Sequence, residues 1–247
     1  MNIARTLLLV AATSCAACNR TDDLRFRTIR IDRTLGTPPA VEVSYSFVSI
    51  VDADRNPSLQ AIERADVNRV FGLEEFPGTP REAARIAIEE LSADLLPAAQ
   101  TFADEHETPY FVTVETEAER VDTLLTYAIR RIGYTGGAHG YDRTEYRTYA
   151  LDGGYEVTLT DLLGDTAAER LVTILRQKLY DRYGVANDEE LAAQGFFPEM
   201  IRPTENFRVL PDGGVLFRYN PYDIACYAAG PVELTLTCAE FDSLRRE

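Results

Sequence analysis

Tyr134-Thr135-Gly136-Gly137-Ala138-His139-Gly140-Tyr141 is a dense glycine turn set between two strand-like runs. Upstream, Val121 to Tyr134 alternates and is rich in β-branched residues. Downstream, Tyr141, Thr144, Tyr146, Thr148 and Tyr149 carry the same β-forming composition. Two such runs joined by glycines predict an antiparallel pair. Glycine has no Cβ, so Gly136-Gly137 admits positive φ and lets another backbone or a ligand come close. That explains the glycines and leaves the histidine without a reason.

Working outward, Phe26 to Leu35 and Val41 to Val51 read as strands. In the second, Val41, Val43, Tyr45 and Phe47 alternate with Glu42, Ser44 and Ser46, marking one buried face. Asn56 followed by Pro57 opens a helix whose apolar stripe is Leu59, Ile62, Val70 and Phe71. Thr79 and Glu82 form a capping box for a second helix carrying Ala84, Ala87, Ile88, Leu91 and Leu95. Tyr110 to Thr116 is a further strand. Asp152-Gly153-Gly154 predicts a hairpin into a strand over Tyr155 to Leu159, and Thr166 with Glu169 predicts another capped helix, ending at Gly184. A short helix from Asn187, a hairpin of Phe207–Leu210 with Val215–Tyr219, a strand over Val232–Thr237 and a terminal helix complete the chain.

The pattern predicts an α+β fold of two associated subdomains, each an antiparallel sheet packed against one or two helices. The boundaries are residues 26–117 and 118–247, although the strands between 110 and 134 suit either unit.

At 247 residues the chain can bury a real core. Its net charge of −15 argues against nucleic acid, which needs clustered Lys and Arg. Residues 1–18 read as a lipoprotein signal peptide: Arg5, then the apolar Leu7 to Ala12, then small residues before cysteine. Cys18 is the favoured lipidation site, with Cys15 as the alternative, and residues 19–25 form a polar tether. Removing the leader deletes only Arg5 among charged side chains and takes the charge to −16. The expected address is extracytoplasmic, lipid-anchored to the cell envelope, on the periplasmic or outer side. Disulfides persist there, so two readings of Cys226 and Cys238 stay open, a bridge or two buried thiols.

Five motifs occur in one order: Tyr134 to Gly140, Leu151 to Gly154, Leu159-Thr160-Asp161-Leu162-Leu163, Asn220-Pro221-Tyr222-Asp223-Ile224 and Tyr227-Ala228-Ala229-Gly230-Pro231. Over about residues 120 to 244 the chain resembles the extracytoplasmic C-terminal domain, of unknown function, shared by RsiV-type anti-sigma factors and PdaC-type peptidoglycan deacetylases. Residues 25–117 resemble, more weakly, the PdaC-type domain that precedes it. Because RsiV-type proteins bind lysozyme through this domain, the resemblance implies a binding module. It carries over Tyr134, His139, Tyr222 and Tyr227 as candidate binding residues.

Independent chemistry is scarce. His106 sits among acidic residues in a predicted loop, and His139 reads more readily as a side chain that holds its turn than as a base. No serine stands at a nucleophile elbow, no phosphate-cradling loop occurs, and no zinc or calcium spacing is present. The loop Tyr219 to Pro231, with three tyrosines and little charge, suits an interface. The expectation is a non-catalytic envelope lipoprotein without cofactor or metal. Its partner is a basic protein such as lysozyme or another peptidoglycan-acting protein, with a peptidoglycan-binding module as the alternative. Hydrolysis centred on His139 is the least favoured reading.

Overall fold

The computed structural model describes residues 24–36, 41–101, 109–164 and 166–245. The lipidation candidates Cys15 and Cys18, with His106, lie outside them. No helix among the described residues is long and apolar enough to cross a membrane.

The fold is α+β. Five strands, β1 (Phe26–Leu35), β2 (Val41–Ile50), β3 (Phe111–Val121), β4 (Leu124–Tyr134) and β5 (Tyr141–Ala150), form a sheet in sequence order. Helices α1 (Pro57–Phe71) and α2 (Pro80–Thr101) lie on one face. The alternation in β2 does what its sequence demands: Val41, Val43, Tyr45 and Phe47 are buried, and Phe71 of α1 meets Tyr45 at 5.0 Å and Phe47 at 5.7 Å between ring centroids. Asn56 caps α1 by accepting from the Ser58 and Leu59 amides, and Thr79 and Glu82 bond each other's backbone to start α2.

One pairing departs from the expected antiparallel sheet. β2 and β3 run parallel, with Val43 opposite Val112 and Tyr45 opposite Val114. The reason is the crossover: α1 and α2 carry the chain back along the sheet before β3 begins, and a parallel pair requires such a connection. The 117–118 position falls inside β3, which is paired along its whole length with β4. One core runs from Ile29 to Leu151 and a second from Leu159 to Leu244, so packing divides the chain between those two leucines.

The second core gathers α3 (Leu159–Leu163), α4 (Ala168–Tyr183), α5 (Asp188–Ala193) and α6 (Cys238–Arg245) around an antiparallel sheet of β6 (Phe207–Val209), β7 (Val215–Tyr219) and β8 (Val232–Leu236). Two local expectations give way here. Tyr155 to Leu159 makes only a single bridge, Glu156 with Tyr149, because Thr158 and Asp161 form a capping box that turns the chain into α3. Helix α4 starts at Ala168 with Ala167 as its N-cap and no side-chain cap from Thr166.

The two units join along the open edge of β5. The Thr144 amide donates to Asn220 Oδ1 at 2.8 Å and the Tyr146 amide to Asn206 Oδ1 at 2.7 Å. Both asparagine Nδ2 groups donate back to the Thr144 carbonyl, at 2.9 and 3.0 Å. An exposed edge invites another strand; here two side-chain amides, each with a donor and an acceptor, satisfy it instead.

Candidate functional site

The seam brings together residues more than eighty positions apart. His139, on the turn between β4 and β5, stacks on Tyr227 with ring centroids 3.8 Å apart and planes 18° from parallel. Tyr222 lies 6.2 Å from the imidazole and 5.8 Å from Tyr227. The turn is held from both sides, since His139 Nδ1 lies 2.8 Å from the Gly140 carbonyl and the Tyr227 hydroxyl donates to the same oxygen at 3.1 Å. With Nδ1 donating, Nε2 is the acceptor for the Tyr222 hydroxyl at 3.4 Å. Gly140 is required by close approach: a Cβ there would stand 2.7 Å from the Gly133 carbonyl oxygen.

Tyr222 is placed by an unusual backbone. Asn220-Pro221-Tyr222-Asp223 is a turn closed by the Asp223 amide on the Asn220 carbonyl, with proline in the second position and φ of +71° at Tyr222. That third position normally takes glycine, and a side chain there costs about 1–2 kcal/mol. The result is a tyrosine 55% exposed beside Tyr227, itself 38% exposed. Asn220 anchors the turn to β5, while Arg143 fastens it by donating to the Pro221 carbonyl at 3.3 Å and pairing with Asp223 at 2.9 Å.

Of the four candidate binding residues, three therefore form one exposed cluster. Tyr134 stands apart from it. Its hydroxyl donates to the Gly137 carbonyl at 3.1 Å and its ring packs edge-on against Tyr110 at 5.9 Å, so it shapes the turn from within. The residues that sequence reading did not assign are Asn206, Asn220, Arg143 and Asp223; Asn220 and Asp223 lie inside a quoted motif, but nothing in the sequence pairs them with β5.

The acidity of the chain is not concentrated here. Asp142 is gripped by Arg130 at 3.0 and 2.7 Å, and those bonds hold its carboxyl below the usual carboxylate range. Asp223 is paired with Arg143. Among the described residues no three metal-ligating side chains converge.

Cys226 and Cys238 are both free, and Cys238 is exposed rather than buried. They sit at opposite ends of the β7–β8 hairpin. The Cys226 sulfur packs where a Gly195 Cβ would lie and the Cys238 sulfur lies over Gly213, and the five extended residues of β8 stand between them. Such a strand spans about 16 Å, well beyond the Cα separation of a disulfide.

Residues 160–239 match a family described as protein of unknown function, DUF3298. This part of the chain belongs to the DUF3298 family. It is the RsiV-like C-terminal domain that the motifs lead to, with the matched stretch running from α3 into α6. A crystal structure of a DUF3298 member from Bacteroides fragilis aligns over 90% of this chain and 98% of its own, at 26% identity and a TM-score of 0.76. A DUF3298 protein from Pseudomonas aeruginosa shares the fold over 90% of this chain and 94% of its own, at 18% identity and a TM-score of 0.61. No curated protein sequence matches. The DUF3298 stretch contributes Tyr222 and Tyr227 to the cluster, while His139 comes from the five-stranded sheet that precedes it.

Proposed function

We propose that the chain is a non-catalytic binding module of the bacterial cell envelope, held there by a lipid on Cys18 or Cys15, and that its partner is a basic wall-acting protein of the lysozyme type. The observation that carries this reading is Tyr222, held out into solvent by a backbone conformation that costs energy and stacked into a cluster with His139 and Tyr227. Strain of this kind persists where function uses it, and clustered tyrosines are the anchors that dominate protein interfaces. The same geometry favours a positioning role for His139 over a catalytic one: its two nitrogens are engaged by Gly140 and Tyr222, and among the described residues no carboxylate bonds to either.

The net charge plays a separate part. Because the carboxylates nearest the cluster are paired, attraction to a basic partner comes from the field of the whole molecule, which raises the rate of encounter at low salt. The aromatic cluster supplies the short-range energy. One acyl chain gives only marginal membrane binding, so retention at the envelope requires a second acyl group or a wall-bound partner.

The test is capture of a C-type lysozyme by the immobilised protein, with Tyr222→Ala and Tyr227→Ala beside the wild type. Each substitution is expected to weaken binding at least tenfold. Equal binding by all three proteins would remove the cluster from the interface.

A further inference from the structure

A cleft lies directly behind the Tyr222 turn. Between β5 and the loops around Asn206 and Asn220 is a cleft of about 390 Å³, within the range of about 300–1,000 Å³ usual for small-molecule sites. Its floor is the helix-bearing face of the sheet beside the C-terminal end of α1, where Arg131 of β4, which donates to the Arg69 and Val70 carbonyls, and Arg143, Glu145 and Arg147 of β5 point the same way because alternate strand residues share a face. Glu205 and Asp223 complete the charged lining from the second unit, and Ile129 is its single apolar residue.

Three arginines against three carboxylates leave the lining without net charge, and every one of those arginines already has an acidic neighbour. A simple anion would be repelled by Glu145, Glu205 and Asp223 as much as it is attracted. An apolar ligand would strand the charged groups without water. What the lining does offer is fixed donors alternating with fixed acceptors. A hydroxyl both donates and accepts, so a ligand bearing several hydroxyls satisfies both sets at once.

Two further observations point to a guest. Arg147 bonds Glu145 and Glu156 through its terminal nitrogens, yet its Nε is buried with no acceptor among the described residues. A buried donor left so is costly, and a ligand oxygen in the cleft would relieve it. Beside the cleft, Tyr222 sits between Pro221 and the cleft residue Asp223, its ring exposed as a platform for the apolar face of a sugar.

We propose that this cleft is a saccharide site, taking a neutral mono- or disaccharide unit whose hydroxyls bond the Arg143, Arg147 and Asp223 side chains and whose ring rests on Tyr222. The site shares Tyr222 with the proposed protein surface, while Arg147, which bonds Glu145 and Glu156 and touches neither the turn nor the aromatic cluster, belongs to the cleft alone.

The experiment is saturation-transfer NMR and calorimetry on the full chain with three probes: di-N-acetylchitobiose, maltose and, as a hydroxylated anion that is not a sugar, citrate. Arg143→Gln and Tyr222→Ala are compared with the wild type, and lysozyme capture is followed separately on the same proteins. The expected result is saturable binding of at least one sugar in the millimolar range or tighter, weakened at least tenfold by Arg143→Gln and by Tyr222→Ala. No saturation by either sugar up to about 20 mM, where a millimolar site would be filled, would overturn the proposal. So would sugar binding indifferent to Arg143→Gln, or citrate bound more tightly than both sugars.

Discussion

Asn220→Ala is the substitution that reaches furthest into this structure. Asn220 is buried, its Oδ1 accepts from the Thr144 amide at 2.8 Å, and its Nδ2 donates to the Thr144 carbonyl at 3.0 Å. Truncation removes both bonds, but the consequences differ. The Thr144 carbonyl keeps a partner, because Asn206 Nδ2 also donates to it at 2.9 Å. The Thr144 amide has no such reserve and becomes a buried donor without an acceptor, a loss of about 1–3 kcal/mol, to which the second bond adds about 1 kcal/mol. The expected destabilisation is about 2–4 kcal/mol, a large share of the roughly 5–15 kcal/mol that holds a typical domain folded. Since the chain has no tryptophan, urea unfolding is best followed by far-UV circular dichroism. Asn220→Asp is the matching control: it keeps an acceptor for the Thr144 amide but sets a carboxylate oxygen against the Thr144 carbonyl, and should not rescue. A loss below about 1 kcal/mol for Asn220→Ala would refute the claim that these amides fasten the two units.

Three other outcomes follow from named contacts. Asp66 on α1 is fully buried with neither carboxyl oxygen bonded, and burial first, then neighbouring Glu63, push its carboxyl well above the usual range against the pull of Arg131. The unfolded chain ionises this group at its ordinary value, so stability should fall as pH rises above about 4, by up to about 1.4 kcal/mol per unit until the buried carboxyl itself ionises. Asp66→Asn should flatten that slope in denaturation series between about pH 4.5 and 6.5, and an unchanged slope would remove Asp66 as its source. Tyr222→Gly should raise the unfolding free energy by about 1 kcal/mol through relief of the positive φ while abolishing partner binding; a less stable protein would show that the turn is not strained. Gly140→Ala drives a Cβ to 2.7 Å from the Gly133 carbonyl oxygen and should cost about 1–3 kcal/mol in chemical denaturation, with lysozyme capture reduced because His139 is displaced.

The parts of the fold legible in the sequence are those fixed by near neighbours. Asn56 with Pro57, Thr79 with Glu82, and the alternation from Val41 to Phe47 each act within one or two turns of chain, and each appears in the structure as written. Thr166 with Glu169 shows the limit of the same rule, since a capping pattern names a candidate start and the packing of Ala167 and Leu171 into the second core sets where α4 begins. The parallel pairing of β2 with β3 was hidden because strand composition carries no direction. It follows only once α1 and α2 are known to return the chain along the sheet.

The candidate site divides the same way. Glycines and tyrosines announced His139, Tyr222 and Tyr227 as unusual, but their stacking depends on Asn220 and Asn206 reaching β5 across 76 and 60 residues, and asparagine spacing does not encode that. Nor does the sequence signal a positive φ at Tyr222, where the turn rule asks for glycine. Tyr134 carried the same composition cue and proved to be internal to the turn, because its hydroxyl finds the Gly137 carbonyl three residues on.

The central claim, that the His139–Tyr222–Tyr227 cluster is the docking surface for a basic wall-acting protein, is tested most directly by calorimetric titration of the protein with a C-type lysozyme at low and at moderate salt, with Tyr222→Ala alongside. Salt shortens the reach of charge attraction but leaves aromatic burial in place. The account predicts saturable one-to-one binding that weakens yet persists at moderate salt and is lost in Tyr222→Ala. Heat that vanishes with salt, or a Tyr222→Ala titration that overlays the wild type, would contradict it.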